Sequence, residues 1–422
     1  MIASGDVGRL TAPPARRCSK WVALAAIPMC SALARSARAD PLRLRGDALV
    51  ETQGASSPTG LVVLQGNDAM KPWLDVEGLV WAGAKPSATG DVLVLMVHLR
   101  EPHGYGEVRA GRFVVATGAV RPIQIDGMDA IGRAPWGGSV ETFAGLPVVP
   151  RFGPRSYDWV VGGRISQTLA STAVLGVSYI QRREDGEVSN EELGADCAVA
   201  AASWLDFAAF GSYDLVQPGI AEARASAAAR SQDWRIELFA SQLSPGRLLP
   251  ATSLFSVLGD MPSQTGGATL RWRAAPRLDL LASGAAQDVS GTLGGNGWLR
   301  GSLRLDDRGE GTLGTELRRV DLPGAEWTGV KAIGVLPLGR GFRYSSEVEI
   351  VVPDHPAGRG VAWPWGLSAL SWRSGDGWEV AAAVEASSSP LRRYEADALL
   401  RLSGTFGESS TAPGRRRGYE TP

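Results

Sequence analysis

The stretch YSSEVEIVV, Tyr344–Val352, decides how the rest of the chain is read. Tyr344, Ser346, Val348, Ile350 and Val352 fall on one parity, and Arg343, Ser345, Glu347, Glu349 and Val351 on the other. A period of two places alternate side chains on opposite faces of a strand, so one face here is apolar and the other charged. Working outward, the pattern recurs. Ala268, Leu270, Trp272 and Ala274 oppose Thr269, Arg271 and Arg273. Leu299, Gly301, Leu303 and Leu305 oppose Arg300, Ser302, Arg304 and Asp306. Trp378, Val380, Ala382, Val384 and Ala386 oppose Glu379, Glu385 and Ser387 among others. Toward the N-terminus the theme loosens, with Leu42, Leu44, Ala48 and Val50, and then Leu93, Leu95, Val97 and Leu99.

A soluble sandwich also alternates, so three further features weigh between it and a membrane-spanning barrel. The segments are about ten residues long, enough to cross a bilayer at a tilt, whereas soluble strands run to about five or six. Aromatic residues sit near segment ends: Trp73, Trp81, Trp234, Trp272, Trp327, Tyr344, Trp372 and Trp378. That is the placement of an interfacial girdle. The polar parity is rich in arginine and glutamate, which suit a wet lumen and not a dry core. The expected fold is all-β: a closed antiparallel transmembrane β-barrel of about 18 strands, roughly 16 to 20. Turn chemistry agrees at Ser374-Gly375-Asp376-Gly377, Asp306–Gly309 and Gly339–Gly341.

The N-terminus reads as an export signal over residues 1–39. Arg9, Arg16, Arg17 and Lys20 precede an apolar run from Trp21 to Ala34, and Ala37-Arg38-Ala39 offers a small-x-small cleavage site before Asp40. Removing that segment takes away six basic residues and one acidic residue. The remainder has 37 basic and 43 acidic, a net charge of about −6, with no basic footprint for nucleic acid. Two of the three cysteines go with the signal, leaving Cys197 unable to form an internal disulfide. After residue 40 no apolar run is long enough for a transmembrane helix. Residues 407–422, rich in Ser, Gly and Arg, read as a disordered tail.

The last alternating segment, Tyr394 to Phe406, carries Tyr394, Ala396, Ala398, Leu400, Leu402, Gly404 and Phe406 on one parity. It resembles the C-terminal strand of Gram-negative outer-membrane proteins. The resemblance implies that Tyr394, Leu400, Leu402 and Phe406 form a signal for the barrel-assembly machinery, here followed by sixteen more residues. A second resemblance lies in Tyr105-Gly-Glu-Val-Arg-Ala-Gly-Arg112. It is similar to the aromatic-Gly-x-x-Arg-x-Gly-Arg strand that precedes the constriction loop of porin-like barrels. The stretch that follows, 119–155, is proline-rich and weakly alternating. By that resemblance it is a long loop folded into the lumen, and a segment of this length without regular structure is usually functional.

Fixed charge in a narrow channel sets the energy of a passing solute. The expected constriction residues are therefore Arg109, Arg112, Arg121, Asp126, Arg133, Glu141, Arg151 and Arg155. The resemblance implies an outer-membrane channel for passive passage of small hydrophilic solutes, anion-favouring because of its arginines, and a homotrimer in outer-membrane lipid. The alternative is a structural or adhesive barrel with a blocked lumen. No cofactor or metal is expected. The three histidines, His98, His103 and His355, lack any spacing that suggests a nucleophile partner or metal site, and no catalytic motif is present.

Overall fold

The computed structural model describes residues 43–53, 59–71, 73–84, 88–148, 157–244, 263–322, 324–356, 361–375, 377–388 and 394–406. The signal segment, the tail from 407, the stretch 245–262, and Arg151 and Arg155 lie outside them.

The described residues form 22 antiparallel strands in one sheet. They run β1 (Arg43–Gln53), β2 (Thr59–Lys71), β3 (Leu74–Ala84), β4 (Ala88–Arg100), β5 (Gly106–Val115), β6 (Ile123–Arg133) and β7 (Gly138–Pro147). β8 (Tyr157–Leu169), β9 (Ala173–Glu184), β10 (Glu187–Ala202), β11 (Leu205–Asp214), β12 (Gly219–Arg230) and β13 (Trp234–Leu243) continue the wall. It is completed by β14 (Ser263–Ala275), β15 (Leu278–Val289), β16 (Thr292–Arg304), β17 (Thr312–Leu322), β18 (Ala325–Gly339), β19 (Phe342–Pro353), β20 (Trp363–Arg373), β21 (Trp378–Ser387) and β22 (Glu395–Phe406). β22 pairs with β1 from Leu44↔Phe406 to Gln53↔Asp397, so the sheet closes and leaves no outer edge.

The closed antiparallel barrel is the expected class, but it holds 22 strands where about 18 were expected. The long loop predicted over 119–155 is also corrected. β6 and β7 occupy most of it as wall strands, joined by the tight turn Ala134–Gly137.

The two faces of the wall follow from the alternation. Leu95, Ile165, Leu238, Val330, Val348 and Val384 stand on the outer face, between 49% and 67% exposed. The opposite parity carries the charges. Connections at one end of the barrel are two to seven residues long. Those at the other reach the nineteen residues between Leu243 and Ser263. Trp73, Trp136, Trp204, Trp234, Trp272, Phe342, Trp372 and Trp378 all lie at the short-turn end and are exposed. Phe342 and Trp372, paired across β19 and β20, have ring centroids 6.4 Å apart. An apolar outer belt with an aromatic girdle at its edge is the surface of a barrel solvated by lipid.

Candidate functional site

One sector of the wall departs from a plain cylinder. Gly111 on β5 pairs with Gly127 on β6, and Gly127 pairs with Gly145 on β7. Gly111 has φ +126°, and a Cβ there would overlap the Leu95 carbonyl on β4. A Cβ on Gly127 would overlap the Ala144 carbonyl and lie 2.6 Å from the Gly145 Cα. Three glycines in register thus form a line along which the sheet can crease, which strands with side chains would resist.

Beyond this crease the tops of β5 to β7 and the connection 116–122 lie over the inner faces of β7 to β10. The Ala119 amide donates to Ser178 Oγ on β9 at 3.2 Å. Thr117 Oγ1 donates to Glu141 on β7 at 2.6 Å. Arg121 pairs with Glu192 on β10. A Cβ on Gly194 of β10 would come within 2.8 Å of the Ala119 Cβ. Phe113, Val115, Val120, Ile125, Phe143, Val160 and Ile180 pack together, each no more than 5% exposed. An apolar core inside the lumen drives the fold-over, because those side chains would otherwise face water.

Ionic pairs flank that core. Arg109 Nε donates to Asp129 Oδ2 at 2.8 Å, and its guanidinium lies 5.4 Å from the Phe113 ring centroid. Arg109 also reaches Glu141 at 3.9 Å. Arg164 Nε donates to Asp196 Oδ1 at 3.0 Å. The Asp129 and Glu192 side chains are 1% exposed, so their charge depends on these arginines for compensation. Arg133 pairs with Glu107, which also meets His98 Nε2 at 3.0 Å. Arg100 donates to His98 Nδ1 and pairs with Asp75 at 2.8 Å. His98 is therefore one link in an ionic chain, and no hydroxyl or thiol nucleophile contacts it in that chain.

The expected constriction residues separate into three groups. Arg109, Arg121 and Glu141 lie on the inner side at or beneath the folded-over crest, and Arg133 lies on the inner side at the short-turn end, where it also donates to the Gly104 carbonyl. Arg112 and Asp126 pair with one another, at 2.6 and 2.8 Å, on the side opposite the buried Phe113 and Ile125. They sit in a cleft between β4 and the crest, on the face of the crest turned away from its core. The cause is parity, since Arg112 shares the face of the exposed Val114. Arg151 and Arg155 fall outside the described residues.

The opposite wall carries charge that the sequence reading left without a role. Arg300 and Arg318 both pair with Glu316. Arg318 reaches Glu349 at 3.8 Å, and Lys331 bridges Glu347 at 2.5 Å and Glu349 at 3.4 Å. Lys331 lies 5.8 Å from the Trp365 ring centroid, whose indole N–H donates to Glu385 at 2.6 Å. The inner face of β14 to β19 presents Arg271, Arg273, Arg300, Arg304, Arg318, Lys331 and Arg343 against Asp279, Glu316, Glu347 and Glu349. At the seam, Arg401 and Ser403 both donate to Asp47 Oδ1, at 2.8 and 2.6 Å. The signal for these residues was already in the alternation, which places each on the polar parity. Among the described residues no group of three or more His, Cys, Asp or Glu is arranged to hold a metal ion.

No family model matches the sequence, and no curated protein matches it. Solved structures do. The siderophore receptor PirA from Pseudomonas aeruginosa aligns at TM-score 0.58 and 10% identity, over 87% of this chain and 80% of that one. The ferric citrate transporter FecA, in its unliganded form, aligns at TM-score 0.54 and 8% identity, over 87% and 79%. The translocation pore of the P pilus usher PapC aligns at TM-score 0.53 and 10% identity, over 87% and 100%. At these identities the likeness is one of fold alone: a large closed β-barrel.

Proposed function

We infer that the chain is a passive channel of the Gram-negative outer membrane for small hydrophilic solutes, narrowed by the crest of β5 to β7. The observation that carries this reading is the pairing of an in-folded apolar crest with an open wall of charged side chains across the lumen. Barrels of 16 to 18 strands already enclose an aqueous channel, and a closed sheet of 22 strands surrounds a wider lumen. A crest occupying one side narrows such a lumen while leaving the charged wall wet. The shorter connections mark the periplasmic end and the longer ones the outside.

The excess of cations over carboxylates on β14 to β19 supports a preference for anions along that wall, because guanidinium groups remain charged and bind carboxylate or phosphate in bidentate fashion. Closure by β22 against β1 supports reading Tyr394, Leu400, Leu402 and Phe406 as the assembly signal.

The test is conductance of the purified full chain in a planar bilayer. Discrete open steps are expected, with a reversal potential in a salt gradient that favours the anion. Lys331→Glu should move that potential toward the cation. A barrel that inserts but stays electrically silent would overturn the channel in favour of a blocked structural barrel. An unmoved potential would overturn the role of the β14 to β19 wall.

A further inference from the structure

The wall is not continuous between β4 and β5. Their ladder runs from Arg100↔Glu107 to Leu95↔Arg112 and stops there. β4 continues to Ala88, paired only with β3, and β5 continues to Val115, paired only with β6. Residues 88–94 therefore form a strand edge inside a barrel that is otherwise closed, created where the crest turns away. In hydrocarbon such an edge needs other partners for its backbone groups. Side chains supply some of them. Arg112 Nη1 donates to the Val92 carbonyl at 2.9 Å and to Asp91 at 3.2 Å, and Gln124 donates to the Leu93 carbonyl. Asp91 in turn accepts from the Val92 amide at 2.8 Å.

A second observation meets this one. The lumen face next to the edge is apolar, unlike the charged lumen face elsewhere. Register places Val63 beside Trp81, and Leu79 beside Val94, on the parity of Glu77 and Met96. Leu61 extends the patch, and Met96 packs against the buried core of the crest. On the other side of the edge, Leu93 and Leu95 of β4 are exposed on the outer face, at 38% and 58%. Apolar surface thus runs from the lumen, past a seam held by side-chain bonds, to the lipid-facing belt.

We propose that the seam between β4 and β5 is a lateral portal through which small uncharged apolar molecules leave the lumen for the outer leaflet of the membrane. Only a solute that gains by entering hydrocarbon has reason to leave there. Asp91 and Asp126 beside Arg112 leave the seam net negative, which repels an anionic head, and hydrocarbon penalises a cation, so the molecule is an uncharged one. Opening requires exchange of side-chain bonds at Arg112 and Gln124, not rupture of a ladder. This adds a second exit to the hydrophilic channel.

The experiment uses the full chain in vesicles with lipopolysaccharide in the outer leaflet, and N-phenylnaphthylamine as the uncharged apolar probe. Leu93→Cys and Val114→Cys are introduced with Cys18→Ser, Cys30→Ser and Cys197→Ser and joined by a reductant-cleavable bifunctional maleimide. Cross-linking should reduce probe uptake to that of protein-free vesicles, and cleavage should restore it, while ion-conducting steps persist in both states. Leu79→Asn with Trp81→Gln, which makes the lumen patch polar, should lower probe uptake without the cross-link. Probe uptake that survives cross-linking, or that never exceeds protein-free vesicles, overturns the portal. Loss of ion conductance in the unmodified protein would instead overturn the channel reading, so the two failures are separate.

Discussion

The sector β5 to β10 and the sector β14 to β22 obey the same alternation and end as different structures. In the second, inward residues such as Glu316, Lys331 and Glu349 form a ladder of charges along a plain wall, and their arginine partners stay about a third exposed. In the first, inward residues such as Phe113, Ile125 and Phe143 are buried under a crest, and Asp129 and Glu192 are buried with them. What separates the two is the register of glycine. β16 has its own pair, Gly294 and Gly295, yet no line of glycines crosses three strands there as Gly111, Gly127 and Gly145 do. Aligned across neighbouring strands, glycines permit a crease, and an apolar inward face then makes the crease favourable.

The strongest way to break this comparison is to fill the crease. In Gly127→Val the new side chain has no space against the Ala144 carbonyl and the Gly145 Cα. The crest should lose about 3 kcal/mol or more, comparable to severe core overpacking. Molecules that still assemble should show larger single-channel steps, because the crest no longer occupies the lumen. At Gly284 in the plain wall an added Cβ meets nothing within 4 Å, so Gly284→Val should leave the steps alone. Equal effects at both positions would mean that the crease is not what distinguishes the sectors.

A sharper comparison removes one carboxylate from each sector. Glu192→Ala strips Arg121 of a partner in a buried setting, where breaking a pair costs about 3–5 kcal/mol. Glu316→Ala removes a carboxylate that is just as buried, at 2% exposed, but the Arg300 and Arg318 it leaves are each about a third exposed and reach lumen water, so its cost should be smaller. Thermal loss of the heat-modifiable band should therefore fall much further for the first variant. The first should also flicker between conductance levels as the crest loosens, and the second should not.

Much of the second sector could be read from sequence, because its inward face is wet and its outer face is lipid. Tyr344–Val352 became β19 almost residue for residue. The first sector was harder for a physical reason. Beneath the crest the inward face is dry, so Ile125 and Phe143 inside and Met128 and Val140 outside are all apolar and the alternation fades. Its prolines read as a loop, yet Pro122 precedes β6, Pro135 sits in a turn and Pro147 ends β7. They punctuate strands and do not interrupt them. Reading 119–155 as a loop leaves out β6 and β7, which lowers the expected strand number. Arg112 and Asp126 were sound choices by type and spacing. Their side of the strand followed from Phe113 and Ile125, whose burial depends on the crest as a whole.

The smallest expected effect lies at the short-turn end of the plain wall and concerns a turn instead of a strand. Between β16 and β17, Asp306 accepts from the Gly311 amide at 2.6 Å and the Glu310 amide at 3.0 Å. Those backbone donors, Gly311 foremost, hold its carboxyl below the ordinary aspartate value despite some opposing desolvation. A depressed carboxyl adds stability above its unfolded pKa, about 3.9, and loses that contribution as pH falls through the lower folded value. Amide exchange at Gly311 should therefore hold steady near neutrality and rise, relative to intrinsic rates, only below about pH 4. In Asp306→Asn the protection should be weaker and independent of pH across that window. The crest should not respond in parallel, since it shares no group with this turn. If its amides open over the same interval, the sectors are coupled through the wall and the contrast between them is one of degree.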